Sequence, residues 1–220
     1  MPEWTWNGNE YRDLDSGRSI DADQVREWVL ESIRKSGDVV AELARLLTEG
    51  KLSLEDWHRL MQDEIKDKYI ALFLLGLGGL ALLRAEDIAL LVELLVEQFE
   101  YLSRFLIAIE TGLSEEQIRA RALLYIESAW QSYEQGHARA VGAPRLPAYP
   151  GDGTTLCLGR CRCNWDLQRV MENEETVRWN CFWVIDPFVE NCASEEIDAE
   201  GRPRGCLQRG ALWNPLIIEA

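Results

Sequence analysis

Five of the six cysteines fall into two groups that could together hold a metal ion. Cys157, Cys161 and Cys163 form a C-x3-C-x-C sequence, and Cys192 and Cys206 follow in the same part of the chain. Thiolates are common ligands of structural Zn²⁺, and such a site stabilises a module too small to fold by burial alone. We therefore predict a structural Zn²⁺ site in which four thiolates from these five cysteines bind one ion. Because the spacing is wider than that of a tight C-x2-C knuckle, a disulfide and buried reduced thiols stay open as alternatives.

The remaining polar residues give little support for catalysis, and we predict no catalytic or cofactor-binding residue and no enzymatic activity. The two histidines, His58 and His137, fall on different predicted helices and are distant in sequence from the cysteines. His137 is near the C-terminal end of its helix, where a cation is favourable. The sixth cysteine, Cys181, lies in a predicted strand and is expected in the core. The adjacent acidic pairs, which we expect to be solvated, are residues 115–116, 174–175 and 195–196.

The charge of the chain is strongly negative, with 38 acidic against 23 basic residues and a net charge of −15. Such a surface repels phosphate backbones, so we expect no direct nucleic-acid binding. The longest apolar run, residues 70–83, is interrupted by three glycines and is shorter than the roughly 20 residues of a membrane-spanning helix. We also expect no export signal, because the first residues contain neither a basic start nor an apolar core.

A cluster of prolines and glycines divides the chain between two kinds of structure. Pro144, Pro147 and Pro150 disfavour a regular helix, and the sequence Gly-Asp-Gly at 151–153 is a strong turn signal. Helical periodicity precedes this cluster, and short strand-like segments follow it. The predicted parts are an extended aromatic arm (1–20), a helical bundle domain (21–142) and a Cys-rich β-hairpin module (143–220).

Hydrophobic periodicity and capping residues predict four amphipathic helices joined by short loops. The first begins after Asp21 as N-cap and ends at Gly50, and Ser53 caps the second. The third ends at Gly112, and Ser114 begins the fourth with a capping box. We therefore predict a mainly α fold, with an antiparallel four-helix N-terminal body and a small C-terminal Cys-rich β-hairpin module.

The predicted third helix has an unusually wide apolar stripe, with further apolar residues on both flanks. A stripe of this width predicts contact with more than one neighbouring helix. Its members are Ile88, Leu91, Leu95, Phe99, Leu102, Leu106 and Ile109.

Two segments rich in Trp, Val and Phe predict a β-hairpin after the first cysteine group. They are NWDLQRV (164–170) and VRWNCFWVI (177–185), with a polar turn between them.

Near the start of the chain, Trp4, Trp6 and Tyr11 lie in a segment without periodicity. We expect these aromatic side chains to pack either on the helical body or on a neighbouring subunit.

Four segments, taken in order and with their spacing, resemble a known class of protein. The chain is similar to minor head or structural proteins of tailed phages, and distantly to phage head morphogenesis proteins. The segments are YRDLDSGRSIDADQVREWV, GKLSLEDW, YLSRFLIAIETGLSEEQIRARALLY and LPAYPGDGTTLCLGRCRCNW, with LWNPLII near the end.

This resemblance implies a non-enzymatic structural protein of the virion, made in the host cytoplasm and placed at the head or the head–tail (portal or neck) region. It implies several copies that self-associate and contact the portal, capsid or neck proteins. Cys192 and Cys206 match a closely spaced cysteine pair of the family, although an insertion separates them here. An alternative, from a different class, is a phage-encoded adaptor or regulatory protein that binds a partner through the Cys module.

Overall fold

Five α-helices make up most of the part of the chain that the computed structural model describes, which is residues 4–7, 10–146, 148–153, 158–172, 177–184 and 216–219. They are accompanied by two three-stranded antiparallel sheets. The prediction of a mainly helical fold with a small antiparallel sheet is confirmed. The helices are α1 (Ala22–Thr48), α2 (Leu54–Leu77), α3 (Ala85–Glu110), α4 (Glu115–Glu127) and α5 (Trp130–Val141).

The predicted N-caps begin three of these helices. The Asp21 side chain accepts a hydrogen bond from a backbone N–H in the first turn of α1. The Ser53 hydroxyl accepts from the N–H of Asp56 at the start of α2. Ser114 and Gln117 form the reciprocal capping box of α4, with each side chain accepting from the other's backbone N–H. The helix starts therefore follow from local sequence, because these side chains satisfy backbone donors that a helix leaves unpaired.

The segment predicted as a single fourth helix is divided into α4 and α5, which Ser128 and Ala129 separate. The Ser128 hydroxyl lies within hydrogen-bonding distance of the Tyr125 carbonyl (2.9 Å) and of the Tyr69 hydroxyl inside the core (2.9 Å). A serine that bonds to its own helix and to a neighbouring helix favours a local change of direction. The change lets α5 pack along α2.

Helices α2 and α5 pack against each other more extensively than any other pair of helices in the described chain. Gly76 and Gly136 lie at their closest approach. A Cβ atom at Gly136 would overlap the carbonyl oxygen of Phe73, and one at Gly76 would overlap that of Tyr133. Glycine at both positions is therefore what allows the two backbones to touch.

The N-terminal residues form a small sheet in place of the predicted extended arm. Its strands are β1 (Trp4–Trp6), β2 (Tyr11–Asp13) and β3 (Ser19–Ile20), in that order. Trp4 and Tyr11 are buried in the main core, 7% and 2% exposed, and Trp4 packs against Trp28. These residues were expected to pack either on the helical body or on a neighbouring subunit. Trp4 and Tyr11 pack on the helical body.

The second sheet lies near the C-terminus and has the strand order β4-β5-β6. Strands β4 (Asn164–Glu172) and β5 (Val177–Val184) coincide with the two segments from which a hairpin is predicted, and they pair antiparallel with Trp165 opposite Trp183. Strand β6 (Leu216–Glu219) pairs with the other edge of β5.

The first part of the apolar run at 70–83 forms the C-terminal end of α2, and the chain turns immediately after Leu77. Gly78 takes a left-handed conformation with φ of 91° and accommodates the close approach of the Trp6 backbone. Throughout the described residues, no helix combines the length and the apolar character needed to cross a bilayer.

Replacing Gly136 by alanine should destabilise the fold strongly, because the added methyl group collides with the backbone of α2. We expect a loss at or above the upper end of the roughly 1–3 kcal/mol typical of overpacking, measured by urea unfolding. Gly37→Ala is the matched control, since there the new methyl group meets only the end of the flexible Leu123 side chain. That variant should stay within about 1 kcal/mol of wild type. Equal stability of the two variants would contradict the close packing of α2 and α5.

Candidate functional site

Helix α3 has two apolar sides, and only one of them faces the core. Its buried side consists of Asp87, Leu91, Leu94, Gln98, Leu102 and Phe105. On the opposite side Ile88, Val92 and Val96 are 51–54% exposed, and Ile107 is 64% exposed. We call this second side the open face of α3 and define it as Ile88, Val92, Val96, Phe99, Ser103 and Ile107.

The open face is a continuous stripe by helix geometry. Successive members are separated by three or four residues, which places them on one side of an α-helix. Phe99 is partly buried and packs against the main core, so the stripe continues into the interior at its centre. The face also contains a shallow, open depression of about 640 Å³, lined by Val96, Phe99, Glu100, Ser103 and Arg104.

The wide stripe of α3 predicts contact with more than one neighbouring helix. In the described chain α3 packs chiefly against α2, and its Phe105 ring also stacks on Tyr125 of α4. Leu91 and Leu102 of the predicted stripe are buried, as expected, but Ile88 is half exposed. Further apolar residues of α3 outside the named stripe, Val92, Val96 and Ile107, lie on the surface. Large contiguous apolar patches on a protein surface are typical of interaction sites.

A row of carboxylates runs along one edge of the open face. Its members are Glu86, Glu93, Glu97 and Glu100, all exposed. Two of the four pair with cations: Glu93 with Arg145 at 2.9 Å, and Glu100 with Arg104 at 3.6 Å. We call this row the acidic edge. Exposed pairs of this kind are weak and exchange readily with other partners.

Two of the five cysteines predicted as metal ligands lie in the described part of the chain. Cys161 and Cys163 are 1% and 3% exposed and belong to a buried cluster with Cys181 and the tryptophans of β4 and β5. The prediction that Cys181 is a core residue is confirmed, and burial raises the pKa of its thiol. The tryptophans of the cluster are Trp165, Trp179 and Trp183.

Cys157, Cys192 and Cys206 lie outside the described residues. Within the described residues, no three His, Cys, Asp or Glu side chains are arranged to hold a metal ion. Since three of the five proposed ligands are outside that part, the Zn²⁺ site stays a prediction.

The segment that contains Cys163 is held to the helical body by contacts with α1 and α5. The Trp130 indole N–H donates to the Cys163 carbonyl (2.9 Å), and Arg26 donates to the Arg162 carbonyl (2.8 Å). The Arg26 guanidinium also lies over the Trp130 ring, 4.9 Å from its centre. These contacts fix the backbone of the second and third cysteines of the C-x3-C-x-C sequence to the helices.

Glu134 is the buried acid at this junction, and the sequence analysis missed it. It is 2% exposed, and one carboxyl oxygen accepts a hydrogen bond from the backbone N–H of Trp165 (3.0 Å). Burial raises the pKa of Glu134 to about 8, against the opposing effects of that hydrogen bond and of Arg26. The burial of Glu134 could have been suspected from the sequence, because it is the only acidic residue in a helical segment whose neighbours, including Trp130 and Tyr133, are apolar or uncharged.

His137 joins α5 to the N-terminal sheet and to α2. The Tyr11 hydroxyl lies 2.9 Å from both the Gly76 carbonyl oxygen and His137 Nδ1. A carbonyl only accepts, so the hydroxyl donates to Gly76 and His137 donates its Nδ1–H to Tyr11. Burial lowers the pKa of His137 to about 4. The expectation of a favourable cation at this position is therefore wrong, because the imidazole is neutral at pH 7.

We compared the chain with protein-family models, curated proteins and solved structures, and it matches none of them.

Acid should destabilise the fold through His137. An unfolded histidine titrates near pH 6.5, whereas the folded one titrates near 4, so stability is fully present above about 6.5 and is lost as the pH falls towards 4. Between pH 7 and pH 4.5 the loss is on the order of 2–3 kcal/mol, out of about 3.5 kcal/mol for the whole shift at about 1.4 kcal/mol per pKa unit. His137→Asn keeps a donor near Tyr11 but cannot titrate, so urea unfolding at pH 7 and pH 4.5 should show a smaller loss.

His58→Asn is the control, because it removes the only other histidine of the chain. This variant should lose as much stability as wild type between the two pH values. If His137→Asn and wild type have the same pH dependence, His137 is not the partly buried, neutral group described above.

Proposed function

We propose that this protein is a non-enzymatic structural component of a tailed-phage virion that assembles at the head or head–tail region through helical contacts. The observation that carries the assembly role is the open face of α3, on which Ile88, Val92, Val96 and Ile107 are each at least half exposed. The proposal that the protein belongs to a virion is supported by the resemblance of its sequence segments to tailed-phage head proteins. Several copies are present in the particle and contact portal, capsid or neck proteins.

The physical basis of this role is the free energy of covering apolar surface. Burial contributes about 25 cal/mol per Å² of apolar area removed from water, and the open face extends over several helical turns. A helix that presents such a stripe is suited to packing against a partner helix. The acidic surface, with a net charge of −15, supports contact with proteins in preference to packaged nucleic acid.

The C-terminal part of the chain adds a rigid element to this assembly role. We propose that the Cys-rich β-hairpin module is fastened by a structural Zn²⁺ ion bound by cysteines from the set 157, 161, 163, 192 and 206. Support comes from the two described members, Cys161 and Cys163, which are buried together on a backbone held by Trp130 and Arg26. A module fixed in this way keeps a constant orientation on the helices.

The assembly role predicts that the chain enters particles through the open face of α3. In cells that produce the particles, the wild-type chain should co-sediment with purified virions at a fixed ratio. Val92→Ser combined with Val96→Ser should abolish co-sedimentation, because the double change removes the exposed methyl groups at the centre of the face. The measurement is quantitative blotting across a density gradient.

Val39→Ser is the matched control, since Val39 is 46% exposed on α1. This variant should sediment with the particles as wild type does. Recovery of the wild-type chain only as an unassembled monomer would contradict the proposed function.

The proposed metal site predicts about one Zn²⁺ per purified chain by elemental analysis. Removal of the Zn²⁺ by a chelator should expose residues 145–220 to limited proteolysis. The helices should stay resistant, because the metal ion stabilises the C-terminal module alone. Cys157→Ser combined with Cys192→Ser should have the same effect. A metal-free chain whose proteolysis does not respond to the chelator or to the double substitution would refute the site.

A further inference from the structure

We infer that the occupant of the open face of α3 is an amphipathic helix of another protein that has lysine or arginine residues along one edge. This inference rests on the proposed function, because it names the partner of the same surface. It goes further in specifying the partner's secondary structure and charge.

The length and shape of the open face fit a helix. From Ile88 to Ile107 an α-helix rises about 28 Å, at 1.5 Å per residue, which is the length of five turns. The exposed residues repeat at the three- and four-residue spacing into which a second helix packs its own side chains. The depression between Val96 and Arg104 provides a recess in the middle of this length.

The two edges of the open face differ in charge. On a helical wheel, one edge consists of Leu95 and Leu106, which are partly buried and packed against the main core. The other edge is the acidic edge, defined above. A docked helix therefore meets apolar surface on one side and carboxylates on the other, so basic residues are favoured along only one of its edges.

The charged contacts already present on the acidic edge are replaceable. Arg145 and Glu93 are 66% and 60% exposed, and Arg104 and Glu100 are both 66% exposed. Such exposed ion pairs contribute little to the free energy of folding. When an apolar helix covers the neighbouring surface, these carboxylates lose part of their hydration, and cations on the partner compensate for that loss.

A second copy of this chain is a poorer occupant. If two copies pack antiparallel about a two-fold axis, the acidic edge of one copy lies beside the acidic edge of the other. If they pack parallel, each acidic edge meets Leu95 and Leu106, which supply no cation. Two chains that each have a net charge of −15 also repel each other at long range.

The test uses two synthetic helical peptides with the same apolar stripe and measures their binding to the full chain by fluorescence anisotropy. One peptide has lysines along one edge, and the other has glutamates at those positions. The basic peptide should bind at least about tenfold more tightly than the acidic one, and this preference should shrink at high salt. Val92→Ser with Val96→Ser should weaken binding of the basic peptide, and Val39→Ser should not.

The charge of the acidic edge is tested separately. Glu97→Lys combined with Glu100→Lys should reverse the preference, so that the acidic peptide binds more tightly. Both substitutions are at exposed positions, and unchanged circular dichroism verifies the fold. Reversal supports the inference, and an unchanged preference overturns it.

The remaining outcomes separate this inference from the proposed function. If neither peptide binds, or both bind equally, the inference fails, although co-sedimentation with particles can still support the assembly role. If sedimentation shows that the chain dimerises and the double serine variant is monomeric, the occupant is a second copy and the inference is overturned. If the basic peptide binds as expected but the chain never enters particles, the docking surface stands and the virion role fails.

Discussion

The direct backbone contact between α2 and α5 is the constraint on which the rest of the described fold depends. It requires glycine at positions 76 and 136, since a side chain at either would overlap the opposite backbone. The close approach brings polar groups of the two helices together: the Ser132 hydroxyl donates to the Tyr69 carbonyl, and the Gln131 amide donates to the Tyr69 hydroxyl. Buried polar groups satisfied in this way help to specify a single arrangement of the helices.

Helix α5 also contacts segments from both sides of the helical body. His137 and the Gly76 carbonyl together hold Tyr11 of the N-terminal sheet. One and two turns earlier, Glu134 and Trp130 hold the backbone at Trp165 and Cys163. The N-terminal sheet and the start of β4 therefore both contact this short helix, and a shift of α5 would loosen both.

Helix α3 lies outside this arrangement of close contacts. It packs chiefly on α2, and its Asp87 carboxylate is buried, with Arg139 of α5 donating to it at 2.7 Å. A helix fixed along one side and apolar along the other is a stable platform for a partner, because docking on it requires little rearrangement of the body. The acidic edge, which lies on one side of the open face only, determines which partners can cover it.

Local sequence determined where α1, α2 and α4 begin, because capping by Asp21, Ser53 and Ser114 involves only neighbouring residues. Richness in Trp, Val and Phe on either side of a polar turn likewise predicted the segments that form β4 and β5. The division of the fourth helix at Ser128, the buried states of Glu134 and His137, and the exposed side of α3 were not predictable in this way. Each depends on groups far apart in the chain: Ser128 meets Tyr69, Glu134 meets Trp165, and the wide apolar stripe of α3 shows only that a neighbour is favoured. Whether that neighbour belongs to the same chain is decided by the tertiary packing, in which α5 packs against α2 and the open face of α3 stays exposed.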